Sequence, residues 1–247
     1  MTGCVHFVLI RGLWREARHW GEFINYLQQQ FPAALISTPD IPGNGVQHLD
    51  ISPSTIPDMT DKLRQQIHAN RPLRLIALSM GGMIAIDWMT RYPAEIEMAV
   101  LINTSARPLS PFYHRLRWTV YPQILRMMLH SAVQKEADIL RLTSSRYQYD
   151  SKLLASWQLW QRQNPVSFAS ARNQFLAAVT FSITAKPKQP MLIVTSRADR
   201  LVDYRCSQKL AQAWQAGYVQ HESAGHDLPL DEPQWLTQTI HEWLADA

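Results

Sequence analysis

"LIALSMGGMIAI", residues 75–86, decides how this chain reads. An apolar run of strand-forming residues stops at one serine, Ser79. Two glycines follow almost at once, and the next residues read as a helix. A serine at such a junction serves either as a plain helix N-cap or as a nucleophile held up on a sharp corner. A hydroxyl is a poor nucleophile at neutral pH. It needs a base to take its proton, a third group to orient that base, and N–H donors for the oxyanion. The reading therefore turns on whether the rest of the chain supplies those groups.

Working outward, the apolar run 5–10 predicts a buried strand ending near Gly12. Short strands follow at 34–37, 73–78, 98–102, 191–195 and, more weakly, 218–221. Helices are predicted at 22–30, 58–70, 80–92, 206–216 and 233–245, with "TPDIPGNG" (38–45) as a turn cluster. Strands that alternate with helices imply a mostly parallel sheet covered on both faces. The alternation breaks from 107 to 185, a stretch rich in Arg, Trp, Leu and Gln that reads as all helical. It is expected to be a helical cap inserted into a core made of 1–106 and 186–247.

The bulk composition is that of a globular protein: 247 residues, 46% hydrophobic and 18% charged. No membrane span, signal peptide or metal-ligand spacing is read, and the expected compartment is cytoplasmic. Cys4 and Cys206 read as free buried thiols. The net charge is +4, unevenly spread: residues 107–185 hold ten Lys/Arg and three Asp/Glu, a net of +7, which leaves −3 for the remainder. Such a basic segment is either a solvated helical face or the mark of an anionic partner.

The groups that Ser79 needs are present in the order acid, then histidine. Asp199 lies a few residues past a predicted strand in "LIVTSRADRLVD". His226 lies in "ESAGHDLPLDEP", just before the last helix. Both fall where a parallel sheet presents its carboxyl edge, which is where ligands bind in such folds. Asp203 and Asp227 are rivals for the acid. Asp203 lies deeper into the next helical region, and Asp227 is the sequence neighbour of the histidine. The Met80 amide, at the start of a helix, is one candidate oxyanion donor. The Leu13 amide, after Gly12 in "LIRGLWREARHW", is the other. Trp14 and Trp20 either line the pocket or pack in the core. Trp118, Trp157 and Trp160 are further candidates for the substrate pocket.

With "FVLIRGLW", "STPDIPGNG", "LIALSMGGMIA", "AVLINTSARP", "PMLIVTSRADRLVD" and "SAGHDLPLDEPQWL" together, the chain resembles an α/β-hydrolase fold protein of the capped serine esterase type. The resemblance implies a catalytic triad of Ser79 as nucleophile, His226 as general base and acid, and Asp199 as the orienting acid. It implies a nucleophile elbow at residues 77–82, an oxyanion hole of the Leu13 and Met80 amides, and neither a metal nor an organic cofactor. Dehalogenases and epoxide hydrolases of this fold use an aspartate where Ser79 stands. Two positions depart from the pattern. Ala77 replaces the first glycine of the elbow, and Arg11-Gly12 replaces the usual His-Gly, so the loop must be held differently.

The expected activity is that of a serine hydrolase cleaving a carboxylic ester or thioester through an acyl-serine intermediate. The alternatives are a lyase, a C–C bond hydrolase, or a receptor-like protein that binds ligand on the same fold. The expected partner is a small-molecule substrate, with an anionic acyl carrier as an option and no nucleic acid. For such a carrier the cap would bury its aromatics (Phe112, Tyr113, Trp118, Phe168 and Phe175 among them) at the pocket mouth. It would expose its arginines: Arg115, Arg117, Arg126, Arg141, Arg146, Arg162 and Arg172.

Overall fold

Strands that are apolar at successive positions can be satisfied only in a sheet buried on both faces, and that is where they lie. The computed structural model describes residues 5–68 and 72–246; Cys4 and the end of the expected helix 58–70 fall outside them. The strands β1 (His6–Ile10), β2 (Leu35–Ser37), β3 (Leu73–Leu78), β4 (Ile96–Ile102), β5 (Met191–Ser196) and β6 (Gly217–His221) form one sheet. Their order is β2-β1-β3-β4-β5-β6, and every pair is parallel.

Alternate side chains feed two apolar layers. On one face Val8, Ile10, Leu75, Ala77 and Leu101 pack against α2 (Ile56–Arg64), α3 (Met80–Arg91) and α9 (Arg205–Trp214). On the other, Phe7, Leu9, Ile76, Leu78 and Ile102 meet α1 (Phe23–Gln30) and α11 (Pro233–Asp246), with the buried Trp20 between them. Trp20 is thus a core residue. The thiol of Cys206 on α9 is buried as well, and burial pushes it up to about 11.

Two elements differ most from expectation in their boundaries. Helix α2 starts two residues earlier because Thr55 caps it, accepting the Asp58 amide, while Pro57 sits in the first turn where no N–H is needed. It also ends sooner, at Arg64. Strand β4 starts at Ile96, as soon as the turn at Pro93–Glu95 is complete.

Between β4 and β5 the chain forms α4 (Phe112–Arg115), α5 (Tyr121–Met128), α6 (Ala132–Thr143), α7 (Ser151–Gln163) and α8 (Phe168–Thr180). Its two ends run side by side, with the Ile183 amide donating to the Arg107 carbonyl at 2.8 Å. The segment leaves and re-enters the sheet at one place. No helix among the described residues is long and apolar enough to cross a membrane.

The strand order fixes where a crevice opens. From β1 the chain steps outward to β2, then returns to the other side of β1 as β3. The carboxyl ends of β1 and β3 therefore flank the switch point of the sheet, where connections diverge and leave a gap.

Candidate active site

Ser79 occupies that gap. Strand β3 ends at Leu78 and α3 begins at Met80, so one residue must turn the chain. Ser79 does so at φ 57°, ψ −119°, a left-handed conformation that costs a non-glycine residue about 1–3 kcal/mol. Its backbone is pinned from three sides. Its amide donates to the Ile102 carbonyl at 2.9 Å, and its carbonyl accepts from the Gly82 amide at 2.9 Å and the Thr104 hydroxyl at 2.8 Å. The glycines are required by contact: a Cβ on Gly81 would stand 2.3 Å from the Ile10 carbonyl oxygen, and one on Gly82 2.6 Å from Thr104 Oγ1. Ala77 is fully buried, paired in register with Ile10 and Leu101. Ser79 itself is half-buried, and its hydroxyl has no hydrogen-bond partner among the described residues.

The loop after β1 runs beside it. A Cβ on Gly12 would approach Ser79 Cβ to 3.1 Å, so the loop passes within van der Waals reach of the elbow. The amides of Leu13 and Met80 carry no hydrogen bond among the described residues. Two unspent N–H donors thus belong to the residue after Gly12 and the residue after Ser79.

The histidine and its acid come from the far end of the chain. His226 is buried, and its Nδ1 lies 2.6 Å from Asp199 Oδ2. The other carboxylate oxygen accepts the Leu201 and Val202 amides at 2.7 and 2.9 Å. These bonds fix the carboxylate and, through it, the ring; Nδ1 is then the protonated nitrogen and Nε2 the free base. Asp203 is spent on Arg205, and Asp227 on Arg11.

Asn103 was missed by sequence reasoning except as a neutral residue. At φ 46° and fully buried, it donates to the His226 carbonyl at 2.8 Å and accepts the Ser196 amide at 2.8 Å, tying β4, β5 and the histidine loop together. Its place at the carboxyl end of β4 was the only signal.

Arg11 answers how the first loop is held without the usual histidine. Its guanidinium makes a two-pronged bond to Asp227, at 3.0 and 2.6 Å, and lies 4.9 Å from the Trp20 ring centre. Both partners are buried. The pair ties the loop that carries Leu13 to the loop that carries His226. Replacing Asp227 by Asn would strand a buried cation, which costs about 3–5 kcal/mol. The expected melting temperature falls by roughly 10 °C. Thermal unfolding checks this, with the double replacement Arg11→Met, Asp227→Leu expected to recover most of the loss. A single variant within about 2 °C of the parent would show that the pair holds little.

A second buried knot lies one turn further. Arg15 donates to Glu136 of α6 at 2.7 Å and to His19 Nε2 at 2.8 Å. The rings of Trp157 and Trp160 stand edge-on to His19, each with centroids 5.1 Å away. Trp14, Trp157 and Trp160 share a void of ≈ 10 Å³, room for one water and not for an acyl group. Trp14 also fastens α8: its amide meets the Gln174 side chain at 2.9 Å and its indole the Ala171 carbonyl at 3.2 Å. Trp118 is 67% exposed. The helical segment buries Trp157 and Phe181 but not all of its aromatics, which corrects that expectation in part. Phe112, Tyr113, Trp118, Phe168 and Phe175 all face outward; on α8 the buried positions are Ser170, Gln174 and Ala177.

Burial above all, and then the charges of Arg15 and Arg11, hold the His19 imidazole well below its ordinary value of 6.5. The fold keeps it neutral while the unfolded chain gains a proton as the pH drops. Its contribution is therefore present above about pH 6.5 and lost below it, with a slope approaching ~1.4 kcal/mol per pH unit. Denaturant titrations between about pH 7.5 and 5 should show this slope in the parent and a shallower one in His19→Gln. Parallel curves would exclude His19 as the source.

The family model for "Serine aminopeptidase, S33" matches residues 46–232 of the chain. No curated protein matches the sequence. Among solved structures, a thermophilic esterase from Thermogutta terrifontis is similar at 19% identity and a TM-score of 0.76, over 98% of this chain and 90% of that one. The enol-lactonase from Burkholderia xenovorans is similar at 18% identity and 0.78, over 98% and 92%. A 2-hydroxy-6-oxo-6-phenylhexa-2,4-dienoate hydrolase from Rhodococcus is similar at 14% and 0.76, over 97% and 90%. The chain belongs to the serine aminopeptidase S33 family and is a hydrolase of the α/β-hydrolase fold.

Proposed function

We propose that this hydrolase cleaves a carboxylic ester or thioester through an acyl-serine intermediate, with Ser79, His226 and Asp199 as its triad. The observation that carries the reading is the 2.6 Å bond between His226 Nδ1 and Asp199, on the same sheet edge that holds Ser79 on its strained turn. In the first half-reaction His226 Nε2 takes the Ser79 proton as Oγ attacks the acyl carbon. The Leu13 and Met80 amides receive the charge that develops on the carbonyl oxygen. The imidazolium, steadied by Asp199, then protonates the departing alcohol or thiol. Water repeats the sequence on the acyl-serine, and Ser79 leaves with its proton restored.

In the same proposal, 107–185 acts as a cap over the crevice. Gln174 supports that role, since it also meets Asn44 and Ser52 at 2.7 and 2.8 Å and so joins α8 to the loop after β2. Trp14 forms the wall between cap and oxyanion loop, whereas Trp157 and Trp160 brace it from behind. The test is labelling by a fluorophosphonate probe, followed by a p-nitrophenyl ester series of increasing acyl length. Stoichiometric label on Ser79 and turnover of the shorter esters are expected. Folded protein that takes no label would overturn the reading in favour of a ligand-binding role.

A further inference from the structure

Several arginines of this protein are neutralised where they stand. Arg11 meets Asp227, Arg64 meets Glu95, Arg74 meets Glu97, Arg91 meets Asp87 and Arg205 meets Asp203. In one region arginines gather with little to offset them. A cleft of ≈ 620 Å³ opens between α5, α6 and the loop after β5, within the size range of small-molecule sites. Five arginines line it, Arg117, Arg126, Arg141, Arg197 and Arg200, against two carboxylates, Asp138 and Asp199, a surplus of three positive charges.

The carboxylates do little to neutralise it. Asp199 is committed to His226 and two backbone amides. Asp138 serves His130 at 2.5 Å and reaches Arg141 only at 3.8 Å. Glu222, beyond the lining, reaches Arg197 at 3.8 Å with both side chains more than half exposed, a geometry worth little in water. Arg117 is steered by the Asp199 carbonyl at 2.9 Å, and Arg200 by the carbonyls of Arg141 and Ser144. These bonds aim a guanidinium without cancelling its charge. The Arg126 guanidinium has neither a hydrogen bond nor an ion pair among the described residues.

We infer that this cleft is a binding site for a small phosphorylated molecule carrying two linked phosphoryl groups. The cations are all arginine, with no lysine in the lining, and planar guanidinium forks match phosphoryl oxygens in pairs. Tetrahedral phosphoryl groups can satisfy forks that converge from several directions. A diphosphate brings about three negative charges, equal to the surplus. The cleft volume beyond the diphosphate is left for the organic part of the ligand. The site adjoins the Asp199 backbone, yet binding there requires none of the chemistry proposed for Ser79.

The test is calorimetric titration of inorganic pyrophosphate into Ser79→Ala protein, so that the outcome is independent of hydrolysis. Saturable one-to-one binding that weakens as salt rises is expected. Arg126→Glu with Arg141→Glu should lower the affinity at least tenfold, because both side chains are exposed and no hydrogen bond of either guanidinium is lost. The matched control, Arg162→Glu with Arg172→Glu, lies in the same segment outside the cleft and should change it by less than twofold. The cleft variant should keep the parent melting temperature and its activity on a neutral p-nitrophenyl ester in the Ser79 background. Absence of binding, or equal losses in cleft and control variants, would overturn the site. Malonate binding as tightly as pyrophosphate would overturn the phosphoryl assignment.

Discussion

Replacing Ser79 by alanine is expected to lower kcat for a small activated ester by on the order of 10⁶, and to abolish fluorophosphonate labelling. The two effects have one cause, the loss of the only hydroxyl on the elbow. Alanine keeps the Cβ, so the left-handed turn at φ 57° stays strained and the fold is expected to persist unchanged. Glycine makes the sharper comparison. It removes the same hydroxyl but adopts positive φ without steric cost, so Ser79→Gly should be inactive yet about 1 kcal/mol more stable than Ser79→Ala. Stability that rises as activity vanishes is the signature of a residue whose strain serves its function. Retention of more than a few per cent of activity by the alanine variant would remove Ser79 as nucleophile.

The elbow was legible because its requirements are local. One residue must reverse direction between a strand and a helix, and the second and third residues after it must be small where the chain ends of β1 and β4 press in. Gly81 and Gly82 announce that contact without any knowledge of what they touch. The strands were legible for a similar reason: a sheet buried on both faces leaves unbroken apolar runs. The helix after Thr55 was harder to bound, because its first turn holds Pro57, a residue whose presence alone does not mark a helix start.

What could not be read are the pairings between distant loops. Arg11 and Asp227 are 216 residues apart, and nothing local marks either as the other's partner. The sequence identified Arg11 only as a misfit in the oxyanion loop, and Asp227 only as a rival acid for the histidine. Their contact follows from strand order, which brings the loop after β1 and the loop before α10 (Leu228–Asp231) to one edge. The arginine cleft has the same origin. Arg117, Arg126 and Arg141 belong to a segment whose basic excess was plain, but Arg197 and Arg200 come from the sheet side. The outward aromatics were misjudged because composition does not tell which face of a helix is docked.

His226→Ala is expected to cost about as much as Ser79→Ala, on the order of 10⁶ in kcat, whereas Asp199→Asn should cost roughly 10⁴. The difference follows from position along the chain of bonds. In the proposed triad nucleophile and base act as one unit: without the imidazole the Ser79 proton has no acceptor, and without the hydroxyl the imidazole has nothing to activate. Removing both should therefore be no worse than removing either, so Ser79→Ala, His226→Ala is expected to match the single variants within about threefold. In the proposed triad Asp199 acts one step back, orienting the ring through the 2.6 Å bond to Nδ1 and steadying the imidazolium. Asparagine there would keep the two backbone amides on Oδ1 but offer the ring an uncharged partner. The control is Asp203→Asn, which loses only ion-pair contacts to Arg205 and should stay within about tenfold of the parent. Losses that multiply in the double variant would mean that Ser79 and His226 do not share one proton. An Asp203 variant worse than Asp199→Asn would shift the orienting role to Asp203.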